Sequence, residues 1–76
     1  MGEHGTFYQL MIRRHGQIFY ATNSHGGFMT SRQMFPAFLP YHFSTRAAAE
    51  SCWTQWANRH PAWAAESLHE IVEAEA

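Results

Sequence analysis

Six histidines, one cysteine and five arginines are the side chains of this 76-residue sequence with most chemistry to offer. A metal centre needs three or four ligands converging at fixed distances. His4, His15, His25, His42, His60 and His69 form no His-x-His pair and no His-x3-His pair on a helix, and Cys52 has no second cysteine to join it. The histidines instead fall at turns (His15, His25) and at helix ends (His42, His60), so no metal or other cofactor is expected. A nucleophilic cysteine needs a neighbouring base and a cleft. Cys52 sits beside Trp53 and Trp56 on an apolar stripe, the setting of a small buried hydrophobe. Glu66, Glu70, Glu73 and Glu75 crowd one end of the chain, which leaves no carboxylate pair to flank a cleft. Neither Gly16 nor Gly26-Gly27 belongs to a phosphate-cradling loop. The expectation is a protein without catalytic activity.

Binding is the better-supplied chemistry. Every basic residue is Arg (Arg13, Arg14, Arg32, Arg46, Arg59), aromatics make up 16% of the chain, and there are four methionines. Arg, Met and aromatic residues are the types enriched at protein–protein interface cores, where Lys is depleted. The formal charge of −1 supplies no broadly basic face for duplex phosphates. Candidate partner-binding residues are Arg13, Arg14, Tyr20, Arg32, Phe35 and Phe38. The last two belong to a crowded apolar stretch with Phe28, Met29, Met34, Leu39 and Tyr41. That stretch either closes the ends of a core or stands out as a patch for a partner or a second copy.

The rest of the composition bounds the class. With charged residues at 14% and aromatics at 16%, the chain is not disordered. Its length suits one compact domain over 1–76, with 1–5 and 74–76 frayed. A lone cysteine excludes an internal disulfide and points to a reducing, cytoplasmic setting. No apolar run approaches the roughly 18 residues of a membrane span, so no membrane partner is expected.

These residues must be positioned by a small α+β frame. Segments 6–13 and 17–23 read as a hairpin around a two-residue His15-Gly16 loop. In that register Arg13 faces Ile18, Ile12 faces Phe19, Leu10 faces Ala21 and Tyr8 faces Asn23, which gathers Tyr8, Leu10, Ile12, Phe19 and Ala21 on one face. A third strand is predicted near 28–33, and Pro36 and Pro40 make the stretch after it an apolar loop. A helix over 44–59 is capped by Ser44 or Thr45 and stopped by His60-Pro61. Its stripe of Ala49, Cys52, Trp53, Trp56 and His60 suits the apolar hairpin face. The segment 61–76 fits a helix by its Ala and Glu content and a fourth strand by its Leu68/Glu70/Val72 alternation. The predicted fold is therefore α+β, with a three- or four-stranded antiparallel sheet packed on one main helix.

The order hairpin, third strand, capped helix, with Phe43-Ser44-Thr45-Arg46-Ala47-Ala48-Ala49-Glu50 at the helix start, resembles two groups of proteins. One is the integrase arm-type DNA-binding domain, which implies a sheet entering the major groove. This chain offers only Arg13, Arg14 and Arg32 for that role. The other is the small phage-encoded inhibitors, type I anti-CRISPR proteins among them, which implies stoichiometric masking of a host protein or nucleoprotein complex. The leading expectation is a non-catalytic protein-binding module of that inhibitory kind. A nucleic-acid-binding module using the hairpin arginines is the alternative.

Overall fold

A computed structural model describes residues 5–34 and 39–75. Its four strands, β1 (Thr6–Arg14), β2 (Gln17–Ala21), β3 (Phe28–Thr30) and β4 (Ser67–Glu75), form one antiparallel sheet in the order β3-β2-β1-β4. Among the described residues three helices complete the fold: α1 (Ser31–Met34), the main helix α2 (Arg46–Arg59), and α3 (Pro61–Ala65). The α+β architecture is the one expected from the sequence.

The hairpin turns where the sequence places it. His15 and Gly16 both take positive φ, 51° and 77°, as a two-residue hairpin loop with the right twist demands. Arg13 pairs with Ile18 and Ile12 with Phe19, but the ladder stops at Met11 and Tyr20. The expected pairings of Leu10 with Ala21 and of Tyr8 with Asn23 do not form. Residues 41–43 wedge between the parting strands instead: Tyr41 donates its N–H to the Ala21 carbonyl, and Tyr8 and Phe43 exchange two hydrogen bonds, each 2.8 Å long. The exchange is physically sensible. Phe43 delivers a side chain only 3% exposed to the core, whereas the Asn23 side chain is spent on its own turn, accepting from the His25 and Gly27 N–H groups.

The third strand is shorter than the predicted 28–33. Gln33 Oε1 accepts from the Thr30 N–H and hydroxyl, while the Gln33 N–H donates back to Thr30 Oγ1. This reciprocal capping box, Thr30-x-x-Gln33, starts a helical turn at Ser31. The main helix is capped by Thr45, whose Oγ1 accepts from the Ala48 N–H at 3.0 Å. The 61–76 segment resolves into both of its readings. Pro61, preset for a first helical position, opens the five-residue α3, and the alternating residues beyond it become β4.

Antiparallel pairing of β4 with β1 runs unbroken from Thr6↔Glu75 to Arg14↔Ser67 and sets Ile71 beside Leu10. Ala49 and Cys52 of α2 meet Leu10, Ala21 and Phe43 in the buried centre, edged by Tyr8, Phe28, Trp53 and Ile71. The tryptophans ring this centre rather than fill it. Trp56 meets Phe28 and Trp63 edge-on, and Trp63 meets Phe19. Among the described residues of the apolar stretch 28–43, Met34 and Phe43 are buried and Phe28 packs against the central cluster, while Leu39 and Tyr41 are exposed.

Candidate functional site

Strand alternation divides the candidate residues between two faces. Tyr8, Leu10, Ile12 and Arg14 point towards α2 and α3. Phe7, Gln9, Met11 and Arg13 point away, together with their cross-strand neighbours Ile18, Tyr20, Met29, Leu68, Glu70, Val72 and Ala74. On this second face Arg13 lies between Ile18 and Leu68, and the next row runs Met29, Tyr20, Met11, Glu70. Leu68 is 76% exposed. His42 stacks on Phe7 at 3.8 Å at the far end of the same face.

Three shallow grooves surround the hairpin tip. One, of about 330 Å³, is lined by Arg13, Arg14, His15, the Gly16–Ile18 segment, Glu66 and Leu68. Another, of about 230 Å³, shares Gly16, Gln17 and Ile18 and is closed by Thr30, Ser31 and Arg32. Arg13 and Arg32 thus flank the start of β2 from either side. The third, of about 370 Å³, runs along α3 between Arg14 and Glu66. The charged residues in these linings are Arg13, Arg14, Arg32 and one acid, Glu66.

Arg14 belongs to the helix side and is already engaged. Its guanidinium lies over Trp63, and its Nη2 donates to Glu66 Oε1 at 3.1 Å. His15 Nε2 meets the same oxygen at 2.8 Å. Hydrogen bonding from His15 and its charge, followed by the pull of Arg14, hold the Glu66 carboxyl below its usual range. Arg13 and Arg32 are exposed and pair with no carboxylate among the described residues. Phe35 and Phe38 lie outside the described residues. The structure therefore brings Arg13 and Tyr20 to one face of the sheet, sets Arg32 of α1 across Ile18 from Arg13, and turns Arg14 towards Trp63 and Glu66 on the helix side.

Leu68, Ile18, Trp63 and Glu66 join this region without having been singled out as candidates. The ambiguity of 61–76 hid three of them. The signal that could have found them is the period-two pattern of Leu68, Glu70 and Val72, which places Leu68 on the face of Arg13.

Among the described residues no three His, Cys, Asp or Glu side chains are grouped to hold a metal ion. Cys52 is buried, and desolvation pushes its thiol pKa up, with the Gly26 N–H and the Arg59 charge opposing. No helix among the described residues is long and apolar enough to cross a membrane. Comparison with protein-family models, with curated proteins and with solved structures finds no match.

Proposed function

We propose that this chain is a non-catalytic protein-binding module that docks through the sheet face turned away from α2, at the end marked by Arg13 and Arg32. The observation that carries this reading is the placement of two exposed arginines, without carboxylate partners among the described residues, around Ile18 and beside Tyr20. Arginine beside apolar and aromatic side chains is the composition of interface hot spots. A partner with carboxylates near an apolar patch fits it. Masking of a host protein or nucleoprotein complex is the form of this activity that the layout resemblance implies, and Phe35 and Phe38 remain candidate contacts.

Affinity purification with the native chain and with the Arg13→Glu/Arg32→Glu variant tests the proposal. Both substitutions sit at exposed positions, so the variant folds, and it loses a chain that the native protein retains. Equal recovery by both would overturn the docking surface. Nucleic acid is the alternative occupant, favoured by the same arginines. Its binding would weaken steeply with salt, by about 0.9 log units per log unit of salt for each phosphate neutralised. An aromatic-centred protein interface responds weakly to salt.

A further inference from the structure

The two edges of the sheet are built differently. β3 is three residues long and passes straight into α1. β4 is nine residues long, pairs with β1 without a bulge, and contains no Pro, Gly, Lys or Arg. Exposed edges are ordinarily blunted by short strands, lysines, prolines or bulges. The β3 edge is short and ends in a helix, whereas the β4 edge is long and unbulged with only the charges of Glu70, Glu73 and Glu75 to blunt it, and no strand among the described residues pairs with its outer side.

The free peptide groups follow from one pair. Tyr8 exchanges both its backbone hydrogen bonds with Phe43, so its N–H and C=O point away from β4. By alternation Phe7, Gln9, Met11 and Arg13 bond to β4 through Ala74, Val72, Glu70 and Leu68. Ser67, His69, Ile71, Glu73 and Glu75 consequently direct their N–H and C=O outwards.

We propose that two copies of this chain join β4 to β4 antiparallel, about a two-fold axis at Ile71, and make one continuous eight-stranded sheet from two four-stranded ones. Ile71 presents both backbone groups outwards, so it bonds to its own copy across the axis. The register is self-complementary. His69 falls opposite the partner's Glu73, Glu70 opposite the partner's Val72, and Leu68 opposite the partner's Ala74. Within one chain His69 already contacts Glu50 at 2.7 Å, and Glu73 lies 3.8 Å from Arg46. Across the axis these join into one polar row: Arg46, Glu73, then the partner's His69 and Glu50, with the imidazole placed between two carboxylates. No like charges oppose each other. A register centred on Glu70 would set that carboxylate against its own copy, and one centred on Val72 would put Ile71 against Glu73. The ladder also covers Leu68, among the most exposed of the large apolar side chains.

Sedimentation of the full chain from about 1 µM to about 1 mM tests this. The expected result is a monomer–dimer equilibrium whose dissociation constant rises about tenfold or more in Leu68→Lys, a change at an exposed position that keeps the far-ultraviolet dichroism of the native chain. The register is tested by oxidising Leu68→Cys/Ala74→Cys. The two positions would face each other across a non-hydrogen-bonded pair at about 4.5 Å, inside the disulfide range. A covalent dimer forms in the double variant and not in Leu68→Cys alone. Monomer throughout the range, or a dimer indifferent to Leu68→Lys and uncrosslinked at these positions, would overturn the proposal. The two surfaces share Leu68, but the docking surface is tested by Arg13→Glu/Arg32→Glu and the edge by self-association, so failure of the one is distinguishable from failure of the other.

Discussion

The Arg14 guanidinium carbon lies 4.5 Å from the centroid of the Trp63 ring, so the last residue of β1 is clasped to the helix that precedes β4. The contact fastens the hairpin tip to α3 and leaves the Arg14 Nε buried without a hydrogen-bond partner. Stacking, not hydrogen bonding, therefore holds that part of the side chain. A double-mutant cycle of Arg14→Met and Trp63→Leu should show a coupling of about 0.5–1 kcal/mol in urea unfolding. Strict additivity would mean the stack contributes nothing specific.

The main helix rests on a single side-chain cap. Thr45 Oγ1 satisfies the Ala48 N–H, and no acidic residue occupies the first turn to help it. Thr45→Ala should cost about 1 kcal/mol of stability, while Ser44→Ala should change it by only a few tenths. Chemical denaturation of the two variants separates them. Equal losses would place the cap elsewhere.

Short-range chemistry was the legible part of this fold. His15-Gly16 announces a turn because few residue types accept positive φ, and Thr45 and Pro61 mark helix ends through one oxygen and one missing N–H. Two departures have a common cause, namely a competing bond from a distance or from a side chain. Phe43, twenty residues beyond Asn23, takes the place beside Tyr8 because it can enter the core. Gln33 ends the third strand by reaching back to Thr30, a pattern that was readable as a capping box. For the site, the face shared by Arg13 and Tyr20 follows from the hairpin register. The separation of Arg14 needed Trp63 and Glu66, whose place depended on which form 61–66 would take.

Cys52 should behave as a protected thiol. Burial raises its pKa, only partly offset by the Gly26 N–H and the Arg59 charge, so the folded chain holds the proton more tightly than the unfolded one. The sign follows from that: the contribution to stability is full below the ordinary thiol range and is lost as pH rises through the raised value. Alkylation of the native chain at neutral pH should be about two orders of magnitude slower than in denaturant. Comparable rates would show that the α2 stripe opens readily.

Gly26 lies where only glycine fits. Its φ is 96°, and a Cβ there would stand 2.8 Å from Cδ1 of Trp56. That indole cannot swing aside freely, since it is packed against Phe28, Trp53, His60 and Trp63. Gly26→Ala combines backbone strain with overpacking and should destabilise by about 1–3 kcal/mol. Gly16→Ala is a useful contrast, because the φ of 77° is unfavourable there but no atom lies within 4 Å of the added methyl. It should cost less, and thermal unfolding of the two variants ranks them. The reverse order would show that the Trp56 cluster yields.

His15 and Glu66 tie the hairpin turn to the end of α3 and give that tie a pH dependence. The hydrogen bond and charge of His15 act first, with Arg14 adding to them, to lower the Glu66 pKa. A lowered carboxyl contributes stability above the ordinary carboxylate range and loses it as pH falls through the lowered value. His15→Asn keeps a residue that tolerates the positive φ of the turn while removing the imidazole. In that variant the Glu66 titration midpoint, followed by carboxyl-carbon NMR, should move back up towards the ordinary range. Arg14→Met should move it by a smaller amount in the same direction, since Arg14 is the weaker influence. A midpoint that ignores His15→Asn would mean that the 2.8 Å contact between the two side chains does not persist in solution.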